Sequence, residues 1–356
     1  MATMSAGPLL APRSPTRRIR LGTVDIGDGA PISIQSMTTT KTEDVGATLI
    51  QAHALATQGA DIVRVAVPHE ADARALPAIV AQAGVAGLRL NPGNIRDAAQ
   101  IRTVVREAAA RGVAIRVGAN AGSLDRALVA RHGGATPEAL VESALGEVAI
   151  LEDEGFADIK ISVKHQNVAQ MIAAYRLLAA ATPYPLHLGV TEAGPPPTGL
   201  VKSAVGIGTL LAEGIGDTIR VSLTADPVEE VTAAKAILQA LGIRRSTFDL
   251  VACPSCGRAE LDVVDLTNQV MARLEALALP PVQIAVMGCE VNGPGEARDA
   301  DVGIAAGPGR GLLFSRGRQI GWVPAERMVD ALLEEAVKVA RAKVAHPAEA
   351  GVGERS

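Results

Sequence analysis

At 356 residues the chain can hold one large domain and a smaller one, and with 48% hydrophobic but only 2% aromatic residues its core must be built from Ala, Val, Leu and Ile. A formal net charge of -4, from Lys+Arg 34 against Asp+Glu 38, excludes nucleic-acid or membrane-surface binding driven by bulk charge, so any cationic site must be local. No apolar run reaches transmembrane length and the N-terminus lacks a signal-peptide core, so three cysteines point to a reducing cytoplasm and no disulfide framework.

Residues 1–18, rich in Pro, Arg and Ser, read as a flexible leader. Short β-branched segments then alternate with helical stretches, the rhythm of parallel strands joined by crossover helices. The predicted strands are ISIQSM (32–37), IVRVAV (62–67), GLRLN (87–91), AIRVGAN (114–120), DIKISVK (158–164), PLHLGVT (185–191) and TIRVSL (218–223). Thr136-Pro137 and Asp226-Pro227 each give a helix N-cap followed by proline at the first helical position. Seven strands is one short of a closed eight-stranded barrel. An open doubly wound sheet is the other arrangement, but the glycine-rich fingerprint is absent near the start, and Gly206-Ile207-Gly208 lacks the third glycine.

Strand residues alternate in direction, so Arg64, Arg89, Arg116 with Asn120, Lys160 with Ser162 and Lys164, His187, and Arg220 with Ser222 each share a face opposite aliphatic neighbours. In a barrel the aliphatic face packs under the helices and the polar face points inward. Such a cation ring needs carboxylates or an anionic ligand. Glu192, just past the sixth strand, is the clearest inward acid, and Asp226 could pair with one base from its helix start. One or two acids do not balance the set, and arginine geometry suits phosphate oxygens. Lys202-Ser203, opening the helix of KSAVGIGTLL, could add amide donors.

The three cysteines fall in the last third: Cys253 and Cys256 in VACPSCGR, and Cys289, 33 residues after Cys256, in MGCEVNGPGEA. Three thiolates can hold three irons of a four-iron cluster, with a hard oxygen donor such as Glu296, seven residues after Cys289, on the fourth. The spacing alone leaves a Cys3His zinc site using His346, or a redox Cys-x-x-C pair, as alternatives. GIAAGPGRG lacks the Lys-Ser/Thr ending of a phosphate loop and predicts a hairpin turn. Helices are predicted over about 260–276 and 325–342, ahead of a disordered HPAEAGVGERS tail.

The segments IQSM, VRVAVP, LRLNPGNI, RVGANAGSL, KISVK, LHLGVTEAG, KSAVGIG, EGIGDTIRVSL, ADPVEE, CPSCGR and GCEVNGPGEA, in this order, resemble the bacterial two-domain 4-hydroxy-3-methylbut-2-enyl diphosphate synthases of the methylerythritol phosphate route to isoprenoids. The resemblance covers about residues 18–342. It implies a TIM-like (β/α) barrel followed by a smaller α/β iron-sulfur domain, over 19–245 and 246–345, with a tail at 346–356. It implies a [4Fe-4S] cluster on Cys253, Cys256, Cys289 and Glu296. The implied substrate is 2-C-methyl-D-erythritol 2,4-cyclodiphosphate, held by Arg64, Arg89, Arg116, Asn120, Lys164, Arg220 and Ser222, with Glu192 near the reacting carbons. Flavodoxin or ferredoxin would donate electrons to a cytoplasmic homodimer whose barrel faces the partner's cluster domain.

One departure stands out. Family members carry an additional helix-strand unit between VRVAVP and LRLNPGN, whereas here Arg64 and Arg89 are only 25 residues apart, room for one helix. The barrel is therefore expected to close with seven strands, to gape, or to recruit a segment such as FDLVAC. A catalytically impaired anion-binding homologue and a zinc-dependent barrel enzyme are the alternative functions.

Overall fold

The computed structural model describes residues 10–83, 86–91, 97–244, 248–277 and 279–345; Pro92 to Asn94 of the NPGN motif, His346 and the tail lie outside them. The chain divides into two units, Met1–Ile243 and Arg244–Ser356.

The first unit opens on an antiparallel hairpin, β1 (Ile19–Leu21) and β2 (Val24–Ile26). It continues as β3 (Ser33–Met37), α1 (Val45–Gln58), β4 (Ile62–Arg64), α2 (Glu70–Ala83), β5 (Gly87–Leu90), α3 (Ala98–Ala110), β6 (Ala114–Asn120), α4 (Arg126–His132), α5 (Pro137–Asp153), β7 (Ile159–Lys164), α6 (Val168–Ala181), β8 (His187–Leu188), α7 (Thr198–Ala212), β9 (Thr218–Ile219) and α8 (Pro227–Ala240). The seven strands from β3 onward are parallel, ordered β4-β3-β9-β8 and β5-β6-β7. A bridge from Ile161 to Leu186 joins β7 to the segment entering β8. The strands thus follow one another around a TIM-like barrel, and among the described residues no ladder joins β4 to β5. That break falls between the two segments, VRVAVP and LRLNPGN, where the resemblance leads one to expect a further helix-strand unit.

Alternation makes the barrel wall. Ile115, Val117, Ile159, Ile161 and Val163 pack outward with Leu140, Ala144, Val148 and Leu151 of α5 in one core, each fully buried large aliphatic stabilising the fold by roughly 1.5–3 kcal/mol. Thr136 accepts the Ala139 amide at 3.3 Å and Asp226 the Val228 amide at 2.9 Å, so both expected caps start α5 and α8.

Several expectations need correction. The strands predicted over 62–67, 185–191 and 218–223 leave their ladders at Arg64, Leu188 and Ile219. Side chains take the backbone groups that longer ladders would use: Thr42 Oγ1 donates to the Ala66 carbonyl at 2.6 Å, and Glu230 accepts the Leu223 amide at 3.0 Å. The expected flexible leader is fastened over 10–18, where the Ala11, Ser14 and Arg17 amides donate to carbonyls of Ala212, Gly214 and Pro183 and Arg13 pairs with Asp217 at 2.6 Å. α7 begins at Thr198, after Pro197, so Lys202-Ser203 lies in its second turn and has no free amides to offer.

The second unit comprises β10 (Phe248–Ala252), α9 (Val263–Glu275), β11 (Val282–Met287), α10 (Gly293–Asp299), β12 (Val302–Gly307), β13 (Arg310–Ser315), β14 (Arg318–Pro324) and α11 (Met328–Ala345). Its sheet runs β10-β11-β12-β13-β14, parallel through β12 and antiparallel after it. FDLVAC is β10 of this sheet, paired with β11, and is not recruited into the barrel. α9 and α11 cover one face. On the other, Ala297 and Ala300, at and just past α10, pack on Ala285, Met287, Ala305, Leu312 and Phe314. Gly307 pairs with Arg310 across the expected hairpin turn. Among the described residues no helix is long and apolar enough to cross a membrane.

Candidate active site and cysteine centre

The barrel interior collects the predicted cations. Register places Arg89 beside Arg116, Arg116 beside Lys160, and Asn120 beside Lys164. Arg116, Lys160, Lys164 and His187 are buried. Glycines at two inward positions make room for the long side chains. A Cβ on Gly118 would stand 2.8 Å from Arg89 Nε, and one on Gly189 2.6 Å from Lys164 Nζ. Arg89 also donates to the Gly118 carbonyl at 3.1 Å.

These charges are held at a cost. Burial, then the fields of Arg89 and Arg220, lower Arg64 to about 10. Burial, then neighbouring arginines, push Arg116 and Lys164 well below their ordinary values. Lys160 is lowered to about 7 by burial and then Arg116, with Asp217 opposing. Among the described residues the one ion pair made by Arg64, Arg89, Arg116, Lys164 or Arg220 is that of Arg220 with Glu230, at 3.6 Å. Among the described residues, Gln35 Nε2, Arg89 Nε, Asn120 Oδ1, Ser162 Oγ, Arg220 Nε and both His187 ring nitrogens are buried without a hydrogen-bond partner. Buried donors and cations in this state call for an acceptor-rich polyanion.

Two acids sit elsewhere than expected. Glu192 is exposed, at φ 53°, in the loop that follows the end of β8 at Leu188. Asp226 is occupied capping α8. The acid that meets the ring is Glu230, one turn into α8, which also accepts from Ser36 Oγ at 3.1 Å. Its signal was ADPVEE, a cap followed by acids one turn on. Glu147 on α5 was also missed: it is 3% exposed and neither carboxylate oxygen has a partner. Ser222 is half-buried beyond β9.

The cysteines lie on two interlocked loops at the carboxyl ends of β10 and β11. The Cys253 amide donates to the Val286 carbonyl at 3.1 Å and the Glu260 amide to that of Gly288 at 3.0 Å. The Gly288 amide donates to Cys253 Sγ at 3.2 Å. Ser255, at φ 61°, curls the Cys-x-x-C backbone. Hydrogen bonds from the Arg258 backbone, then its side chain, lower the Cys256 thiol, and amides of Asn292 and Val291 lower that of Cys289. Cys256 and Cys289 lie in each other's field, and Glu296 is exposed in the first turn of α10. Among the described residues no three His, Cys, Asp or Glu side chains converge on a single metal ion. A four-iron cube presents separate corners to separate ligands, and amide-stabilised thiols around a turn fit such a group.

The GcpE TIM-barrel domain matches residues 16–85 and 78–235, and the GcpE protein C-terminal domain residues 249–338. The junction of the two barrel matches falls between β4 and β5, at the break in the wall. The chain is 51% identical to the 4-hydroxy-3-methylbut-2-en-1-yl diphosphate synthase (flavodoxin) of Corynebacterium diphtheriae over 94% of this chain and 91% of the relative. It is 53% identical to the enzyme of that name from Salinispora tropica, over 94% and 91%. With that of Parafrankia sp. the identity is 51% over 377 residues and 98% of each chain; an alignment longer than this chain means that the relative has segments without counterpart here. From barrel to cysteine loops, the chain belongs to the GcpE family of 4-hydroxy-3-methylbut-2-en-1-yl diphosphate synthases.

Proposed function

We propose that the protein is an oxidoreductase of isoprenoid biosynthesis. It opens 2-C-methyl-D-erythritol 2,4-cyclodiphosphate and reduces it, with two electrons and two protons taken up and one water released, to (E)-4-hydroxy-3-methylbut-2-enyl diphosphate. The observation that carries this reading is the cluster of five cations, Arg116 and Lys164 buried and Arg64, Arg89 and Arg220 half-buried, among which the described residues show one ion pair, Arg220 with Glu230. That interior suits a ligand carrying several phosphate charges in a small volume. The barrel unit is assigned to substrate and the second unit to the cluster.

Arg64, Arg89, Arg116, Lys164 and Arg220 hold the diphosphate, with Asn120 and Ser222 adding neutral contacts. As the ring opens, the same fixed cations stabilise the charge gathering on the released phosphate oxygen. Glu192, exposed in the loop after β8 at the carboxyl end of the barrel strands, orients the reacting hydroxyls or transfers a proton. Cys253, Cys256, Cys289 and Glu296 would hold a [4Fe-4S] cluster, which when bound supplies electrons and a Lewis-acidic iron. Among the four, Glu296 would be the hard oxygen ligand beside three thiolates. Flavodoxin or ferredoxin serves as donor, and the protein works as a cytoplasmic homodimer.

Anaerobic reconstitution with iron and sulfide, followed by phosphorus NMR of the cyclodiphosphate under a reduced mediator, tests the reading. Linear diphosphate should form in the wild type and vanish in Cys289→Ser and Glu296→Ala. The lack of a β4–β5 ladder among the described residues favours one second reading, binding without turnover. Ligand binding and a complete cluster with no product would select it, while metal without acid-labile sulfide would select a zinc enzyme.

A further inference from the structure

In the second unit the hairpin β13–β14 ends at the cysteine loops. Arg310, at the start of β13, stacks its guanidinium 4.0 Å from the ring centroid of Trp322 on β14. Arg310 also reaches Glu290 at 3.9 Å, and Glu290 directly follows Cys289. Glu290 lies against the β12 backbone, for a Cβ on Gly307 would collide with its Oε1. One run of contacts therefore links the exposed face of the hairpin to the loop that carries Cys289.

This face is unusual for this molecule. Trp322 is the one tryptophan in the chain, and it is left 42% exposed, with Ile320, two residues before it on β14, at 56%; Val291, two residues after Cys289, is 68% exposed. From Val302 to Ala325 the chain has three arginines, Arg310, Arg316 and Arg318, and no acid, in a protein that is net acidic. Exposed Trp and Arg held together by a cation-π contact are the residue types that carry binding energy at protein interfaces.

The edge itself does not invite a pairing strand. β14 is the last strand of its sheet, but its register shifts between Leu313 and Phe314, and it carries Arg318 and Pro324, features that block edge-to-edge pairing with a second copy. What remains open is the side-chain face, apolar at its centre and cationic at both ends of the hairpin. Such a face fits a partner with an acidic rim around an apolar contact.

We propose that the Trp322–Arg310 face is the docking surface for an acidic, flavin-bearing electron carrier, which it brings beside the Cys289 loop. This rests on the oxidoreductase reading above and is tested by binding, without turnover. Flavodoxin is titrated against the reconstituted full chain by calorimetry at low and moderate salt, with Trp322→Ala and Arg310→Glu compared with wild type. Wild type should bind, more weakly as salt rises, and each variant should raise Kd about tenfold or more. Iron and sulfide content, helical signal, molecular mass and bleaching of the cluster by dithionite should be unchanged. Absence of flavodoxin binding by wild type overturns the proposal, as do unchanged Kd values in both variants. A change in molecular mass alongside weakened binding would assign the face to self-association and also overturn it. Failure of the cyclodiphosphate to react would overturn the proposed function and leave the binding result standing.

Discussion

Glu147 offers a sharp test of the barrel's electrostatics. Its side chain is 3% exposed, its oxygens lack partners, and burial raises it from 4.5 to about 7, with the field of Arg89 opposing. A group whose folded value lies above its unfolded one contributes fully below the unfolded value, and that contribution is lost as pH rises through the folded value. Between pH 4.5 and about 7 the wild type should lose roughly 1.4 kcal/mol per pH unit through this group, a total of about 3 kcal/mol. Above that window the carboxylate is ionised in both states and the loss is constant. Glu147→Gln keeps the shape and removes the titration. Urea unfolding of the cluster-free chain by circular dichroism, from pH 5 to 8, gives the comparison, with Trp322 emission reporting the second unit separately. Relative to wild type, the variant should gain about 2–3 kcal/mol across the range, whatever fixed offset its unpaired amide adds. A difference that does not change with pH would refute the assignment.

Four further outcomes follow from the site. Lys164→Met removes a fully buried cation among like charges, so it should stabilise the ligand-free barrel by about 1–4 kcal/mol while weakening pyrophosphate binding at least ~10-fold, ~1.4 kcal/mol, by denaturation and calorimetry respectively. Pyrophosphate should raise the unfolding midpoint of the first unit, by about 2.7 kcal/mol of stability at a hundred times its Kd; no shift at millimolar ligand would argue against the anion site. Gly118→Ala puts a methyl group 2.8 Å from Arg89 Nε and 3.0 Å from Ser162 Oγ, so it should raise the Kd for pyrophosphate with little change in helical signal. Cys253→Ser should lose acid-labile sulfide and visible absorbance after reconstitution, whereas a redox pair of Cys253 and Cys256 would leave any metal content independent of Cys289.

The sequence was most legible where period alone decides placement. Arg116, Lys160 and Lys164 alternate with Ile115, Val117, Ile161 and Val163, and a wall covered by helices leaves the charged face only the interior. The cysteine loops were legible as well, since Cys253 and Cys289 closely follow the ends of neighbouring strands. Pairings set by tertiary register were not legible. Whether Glu230 or Asp226 meets Arg220 depends on how α8 seats against β9, and whether Glu192 faces inward depends on where β8 ends. The small inward residues held a signal that strand prediction passed over: Gly118 and Gly189 occupy positions that a strand would ordinarily fill with a side chain. Here they are the floor beneath Arg89 and Lys164.

The break between β4 and β5 is bounded differently at its two ends. At the amino end of the seam, Ile19 and Ile26 of the hairpin form a small core with Ala114, against which Leu21 and Ile62 pack. Leu21 also lies 3.2 Å from where a Gly87 Cβ would be, so apolar contacts span the gap between β4 and β5. Farther along the strands, Leu88 and Val67 are 41% and 46% exposed among the described residues. Toward the carboxyl end Arg64 on β4 and Arg89 on β5 stand in each other's field and repel across the opening. A diphosphate placed between them reverses the sign of that interaction. A diphosphate held as proposed would bridge Arg64 and Arg89 at one end of the break, as the hairpin bridges the edges at the other.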